Sequence, residues 1–190
     1  MKIELLQITP DAANFIGSCS AICYNSVDSR ESNIKRAVAC KEKGHLATLR
    51  FAHATFHISG ISRICSHQMV RSKHLDFLQR SQRYCRETEA DFIIPTSNPD
   101  LEYRYEAHYE ECLREYNYLI SQGVKKEDAR FVLPEATYTE LVVTGNFQAW
   151  LDFIKLRADT HAQWEIRQVA KEINNILAVE TNNTIYTWMP

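Results

Sequence analysis

Residues 66 to 84 read SHQMVRSKHLDFLQRSQRY, and how this stretch folds decides how the chain's polar chemistry is arranged. Arg71, Lys73, Arg80 and Arg83 stand there among Gln68, Gln79, Ser81 and Gln82. No Gly or Pro follows Gly60 within the stretch, which predicts one helix over Ile61–Gln79. On such a helix Gln68, Arg71 and His74 or Leu75 share a side at i, i+3 and i+4 spacing. Guanidinium forks match phosphate oxygens, and hydroxyls and amides add uncharged donors, so the set suits a nucleotide or a phosphate-bearing cofactor. The other reading, on charge alone, is a solvated basic helix face.

Outward from this stretch, 190 residues with 45% hydrophobic content can bury one full core, so a single domain over residues 1–190 is expected. The formal charge of −2 provides no broad basic field for nonspecific nucleic-acid binding, and any phosphate must be held by a local cluster. Cys19, Cys23, Cys40, Cys65, Cys85 and Cys112 are scattered, which reads as reduced, buried cysteine of a cytoplasmic protein rather than a disulfide framework. Cys19 and Cys23 lie four apart without a second close Cys or His pair, so no metal site is expected. The charged, alternating start Met1–Lys2–Ile3–Glu4 predicts neither a signal nor a membrane span.

Patterning predicts a strand over Lys2–Thr9, then a helix through Ala21 with Thr9 as hydroxyl N-cap before Pro10. A second helix spans Glu31–Lys43 and stops at Gly44. Leu49–Ser59 reads as a strand broken by Gly60, and Asp91–Asp100, with Pro95 and Pro99, as a loop. Leu101–Ser121 places Tyr105, Tyr109, Cys112 and Tyr116 at helical period, a core or subunit-interface stripe. A short helix starts at Lys125, Tyr138–Thr144 is a strand closed by Gly145–Asn146, and Phe147–Leu177 holds one or two helices jointed near Asp159. The fold class expected is α+β, a mixed or antiparallel sheet with helices on one side.

Several blocks stand in a recognisable order. The first is Ile58–Ser59–Gly60–Ile61–Ser62–Arg63, continued by Ser66–His67–Gln68–Met69–Val70–Arg71 and Ser81–Gln82–Arg83–Tyr84. The second is Ala129–Arg130–Phe131–Val132–Leu133–Pro134 with Tyr138–Thr139, and the third runs from Leu156–Arg157 to Glu165–Ile166–Arg167. Together with Gly44–His45 they resemble the flavin-dependent thymidylate synthases, and three ordered blocks are more specific than one short pattern.

The resemblance implies C5 methylation of a pyrimidine nucleoside monophosphate, dUMP first, with methylenetetrahydrofolate as one-carbon donor and NADPH-reduced FAD as hydride source. It implies a homotetramer with shared active sites, a cytoplasmic enzyme, and neither a nucleic-acid nor a membrane partner. Arg157 takes the catalytic role, a cation that stabilises charge developing on the pyrimidine. Gln68, Arg71, Gln79, Arg80, Ser81, Gln82, Arg83, Arg130 and Arg157 fall to the nucleotide, its phosphate to Ser81, Arg83 and Arg130. His45, Arg71, Ser72, Lys73, Gln79, Asn146, Gln148 and Asp152 fall to FAD. Read by themselves, Arg157 also suits a surface salt bridge to Asp152 or Asp159, and His45 a helix-end cap.

The family motif is Arg-His-Arg, seven residues, Ser; here Arg71, Ser72, Lys73 and Ser81 occupy those positions, and Asp76 and Asp152 replace a common Ser and Asn. Lys73 keeps charge without the fork, and Ser72 can neither stack on an isoalloxazine nor titrate near neutrality. These departures leave open a homologue acting on dCMP or UMP, or a flavin- or nucleotide-binding protein without the reaction. Nucleic-acid binding through an Arg71–Arg83 helix is disfavoured by the net acidity.

Overall fold

A computed structural model describes residues 1–26, 28–95 and 97–189. Among them are the strands β1 (Lys2–Ile8), β2 (His53–Ser62), β3 (Leu75–Gln79) and β4 (Tyr138–Asn146). The helices are α1 (Ala12–Cys23), α2 (Arg30–Glu42), α3 (Arg63–Met69), α4 (Glu102–Ser121), α5 (Lys126–Ala129), α6 (Phe147–Arg157) and α7 (Trp164–Glu180). The strands form one sheet in the order β1-β2-β4-β3. Strand ends meet strand starts: Thr9 N–H donates to His53 O, Arg63 N–H to Thr137 O and Arg80 N–H to Glu140 O, so neighbours are antiparallel. Ala54, Phe56 and Ile58 of β2, and Thr139, Leu141 and Val143 of β4, are buried at every second position, which leaves one face of each strand for the core. The α+β, antiparallel expectation therefore holds.

The single helix expected over Ile61–Gln79 does not form. β2 continues past Gly60 to Ser62, α3 ends at Met69, and β3 begins at Leu75 after a turn in which Ser72 N–H donates to Met69 O. Helix propensity is a weak prior, and pairing with the edge of β4 outweighs it. Gln68, Arg71 and His74 consequently share no helix face. Thr9 does not cap α1 either: its Oγ1 accepts the His53 N–H at 2.9 Å. α1 starts later, after a left-handed Asp11 whose carboxylate takes the Arg30 guanidinium at 2.9 and 3.0 Å.

The six cysteines are free, and only Cys40 and Cys65 are buried, with Cys23 exposed; the expectation of uniform burial is corrected accordingly. Among the described residues no group of three or more His, Cys, Asp and Glu could hold a metal, and no helix is long and apolar enough to cross a membrane. The loop expected over Asp91–Asp100 includes Thr96, outside the described residues; at its start Phe92 bridges Thr137.

The chain gathers into two compact units. The first comprises Met1–Lys2, Ile58–Gln68 and Leu78–Leu141. Its core includes two of the tyrosines of the expected stripe: Tyr116 is fully buried and accepts the Glu87 N–H at 3.2 Å, and Tyr109 packs on Phe92 at 5.0 Å. The second comprises Ile3–His57, Met69–Phe77 and Val142 onward. Here Trp150 is fully buried, edge-on to Phe56 at 5.1 Å, with its indole N–H donating to Ala54 O at 3.0 Å. α6 and α7 are separate helices, divided near Asp159 as expected.

In the second unit α1 lies against α2 at Gly17, where a Cβ would stand 1.9 Å from Asn33 O. Arg36 ties the crossing by donating to Gly17 O and to Asn33 Oδ1. Backbone cannot yield as a side-chain tip can, so Gly17→Ala should destabilise the protein by about 3 kcal/mol through overpacking. Denaturant unfolding of the two proteins measures this, and an unchanged midpoint would show that α1 and α2 are not in contact there.

Candidate active site

In the first unit the end of β3 and the segment after it carry the expected nucleotide residues. Gln79 is held inside: its amide donates to Ser66 Oγ at 2.9 Å and Thr139 Oγ1 at 3.1 Å, leaving its carbonyl oxygen for any further partner. Arg80 faces two carboxylates, the buried Glu87 at 3.3 Å and Glu140 at 3.7 Å. Burial opposes its charge, yet the carboxylates outweigh that cost and hold Arg80 above the ordinary arginine value. These three residues line a cavity of about 260 Å³ with Ser59, Gly60 and Tyr138.

Residues 81 to 85 form a tight turn, with Tyr84 and Cys85 N–H donating to Ser81 O and Arg83 N–H to Ser81 Oγ. Arg83 pairs with Glu127 at 3.2 Å and lies over the Tyr84 ring. Gln82 is buried and its Nε2 has no protein partner. Arg130 donates from Nε to Glu127 O at 3.1 Å. Arg63 is the first residue of α3 and belongs to neither expected set of binding residues. Its Nη1 is buried without a hydrogen-bond partner, and burial, then the nearby Arg130 charge, push its pKa down. A half-buried guanidinium with an unused donor, beside a second guanidinium, is suited to an anion.

In the second unit a different set converges. The turn after α3 brings Arg71, Ser72, Lys73 and His74 against Asp152 and Phe153 of α6, around a cavity of about 340 Å³. A cavity of about 170 Å³ shares His74 and Asp152 and is lined further by Arg50, Asn146, Gln148 and Ala149. Asn146 caps α6, its Oδ1 accepting the Ala149 N–H at 2.9 Å, and Arg50 Nε donates to Gln148 Oε1 at 2.7 Å. Ser72 Oγ is buried and makes no hydrogen bond.

Arg157 ends α6, half-buried. Asp159, one of the carboxylates considered for it, is taken by His161, whose backbone N–H and ring Nδ1 both lie 2.8 Å from Oδ1; the backbone bond first, then the ring, keep the Asp159 pKa low. His45 is not among the residues lining either cavity. Its N–H donates to Cys40 O at 2.8 Å, a backbone bond at the end of α2.

Of the expected FAD residues, Arg71, Ser72, Lys73, Asn146, Gln148 and Asp152 are thus brought together, while Gln79 lies in the other unit. Of the expected nucleotide residues, Gln68, Gln79, Arg80, Ser81, Gln82, Arg83 and Arg130 belong to the first unit, and Arg71 and Arg157 to the second. Arg50 falls in no quoted block, and His74 enters the sequence reading only as one of the residues sharing a helix side with Gln68 and Arg71.

Comparison with known proteins gives the chain's family. The family model described as "thymidylate synthase complementing protein" matches residues 4–181. The chain belongs to that family of enzymes. Members similar to it include the "flavin-dependent thymidylate synthase" of Geobacter sulfurreducens, 38% identical over 91% of this chain and 80% of the relative. Proteins of the same name from Thermococcus onnurineus and Mycobacteroides abscessus are 41% and 36% identical, over 76% and 78% of this chain and 62% and 68% of their own lengths. Within this thymidylate synthase complementing protein fold, Arg63 is a charge held at a cost to the free chain. Arg63→Met should therefore leave thermal stability unchanged or raise it by about 1 kcal/mol, while nucleoside monophosphate affinity falls about tenfold. A melting curve and a binding titration measure the two effects, and a variant that binds as well as the parent would remove Arg63 from the site.

Proposed function

We propose that the chain methylates C5 of a pyrimidine nucleotide, dUMP to dTMP, taking the one-carbon unit from methylenetetrahydrofolate and the hydride from FAD reduced by NADPH. The observation that carries this reading is the convergence of Arg50, Arg71, Lys73, Asn146 and Gln148 on adjoining cavities beside a buried, unpartnered Ser72 hydroxyl. That donor set fits FAD: three cations answer a pyrophosphate, amides answer the polar ring edge, and Phe153 with Leu156 offers an apolar surface to a flat ring. When bound, the flavin supplies the hydride that completes the transferred methyl group.

The chain's own residues do the rest by binding and charge. Arg63 and Arg130 hold the nucleotide phosphate, assisted by Ser81 and Arg83 on the turn, and Gln82 offers its free amide. Arg157 stabilises the negative charge that develops on the pyrimidine ring as C5 becomes nucleophilic. Arg80, already compensated by Glu87 and Glu140, orders the 81–85 turn rather than adding net charge. Assembly into a homotetramer would unite residues from several subunits in each site, and the exposed Leu101, Tyr103, Tyr105 and Tyr118 on and beside α4 are suited to such a contact. The reading is of a cytoplasmic enzyme, a single domain, acting on free nucleotide.

Asp76 is exposed on β3, and Asp152 lines the cavities fitted to the flavin, so the choice between uracil and cytosine rests on assay. The test is tritium release from C5-labelled dUMP, dCMP and UMP by purified protein with FAD, NADPH and methylenetetrahydrofolate. Release from dUMP alone is expected, with Arg157→Ala lowering the rate by about a hundredfold or more. Release from dCMP or UMP instead would change the acceptor, and a yellow protein that NADPH bleaches without any release would mean a flavoprotein lacking the reaction.

A further inference from the structure

The turn between α3 and β3 has a left-handed residue. His74 lies at φ +65°, in a region that residues other than Gly seldom enter and that His, Asn and Asp enter more readily than the rest. β4 passes close to it at Gly145, where a Cβ would come 2.3 Å from Leu75 Cδ2 and 3.2 Å from His74 O. Left-handed geometry at residue 74 leaves its side chain exposed while Leu75, next in the chain, is buried.

Among the described residues His74 is the one residue of the turn that lines both cavities, and it shares that position with Asp152 alone. Arg50 lies on one side and Arg71 with Lys73 on the other, so the imidazole stands among three cations and a carboxylate. Ser72, where the related motif carries a histidine, has a buried hydroxyl too short to reach into both spaces.

We infer that His74 is the flavin-contacting imidazole of this chain, presented two positions downstream of Ser72 by the left-handed turn over Gly145. The inference rests on the flavin reading proposed above. An imidazole at this junction offers a flat face to the ring system and one hydrogen bond from either nitrogen, which no other side chain lining both cavities can do.

Two measurements on the full-length protein test it. Asparagine accepts the left-handed region, so His74→Asn keeps the turn and removes the ring; His74→Gly serves the same end should the first variant melt early. FAD titration should show affinity about tenfold weaker in either variant. In the unaltered protein, diethyl pyrocarbonate modification of His74, followed by peptide mass spectrometry, should be slowed about fivefold or more by saturating FAD, since a contacted ring is shielded from the reagent. Unaltered protein that binds FAD while His74 reacts at its original rate would overturn the inference, as would variants with affinity within about twofold of the parent. Unaltered protein that binds no FAD would overturn the flavin reading itself, a result separable from the other two.

Discussion

A missing side chain at Gly145 governs the chemistry of the second unit. β4 runs so close to the 70–74 turn that Leu75 occupies the space a Cβ would need. From that approach the neighbouring features follow in sequence. The turn is left-handed at His74, Asn146 immediately caps α6, and Phe147 N–H reaches Ala52 O at 2.8 Å. α6 then buries Trp150, whose indole satisfies Ala54 O while its rings pack against Phe56 and Phe153. A buried tryptophan contributes several kcal/mol, on the order of 3–5 by truncation, so the cavity wall is attached to one of the strongest anchors in the chain.

Charge in the first unit is sorted by partner rather than by sequence position. Arg80 and Arg83 lie three apart, and each is met by carboxylate, Arg80 by Glu87 and Glu140, Arg83 by Glu127. Arg80, met twice, shapes the turn and adds little net attraction for a phosphate. Arg63 differs, since part of its guanidinium is buried with no bond made and Arg130 adds like charge. Buried donors left unmade are costly, and such a cost is commonly retained where a ligand repays it.

The departures from the family motif gain a physical setting from the same geometry. Lys73 remains a cation on the cavity formed with Asp152, so the loss of a fork is a loss of direction more than of charge. Ser72 retreats into the protein, and the imidazole on the cavities comes from His74.

Sequence alone determined the elements whose pattern is local. Polar–apolar alternation marked β1, β-branched residues marked β4, helical period marked α4, and the joint near Asp159 separated α6 from α7. It also identified the ordered blocks that hold most of the candidate site, because those residue types recur at set spacing. Tertiary structure decided the rest. Residues 61–79 carry no local signal to stop a helix, and only the edge of β4 makes Leu75–Gln79 a strand. Whether Arg80 meets two carboxylates while Arg63 keeps one donor unmade, or whether His74 faces a cavity, depends on groups distant in the chain such as Glu140, Arg130 and Asp152. Pairing, burial and close backbone approach are properties of neighbours in space, and no periodicity along the chain encodes them.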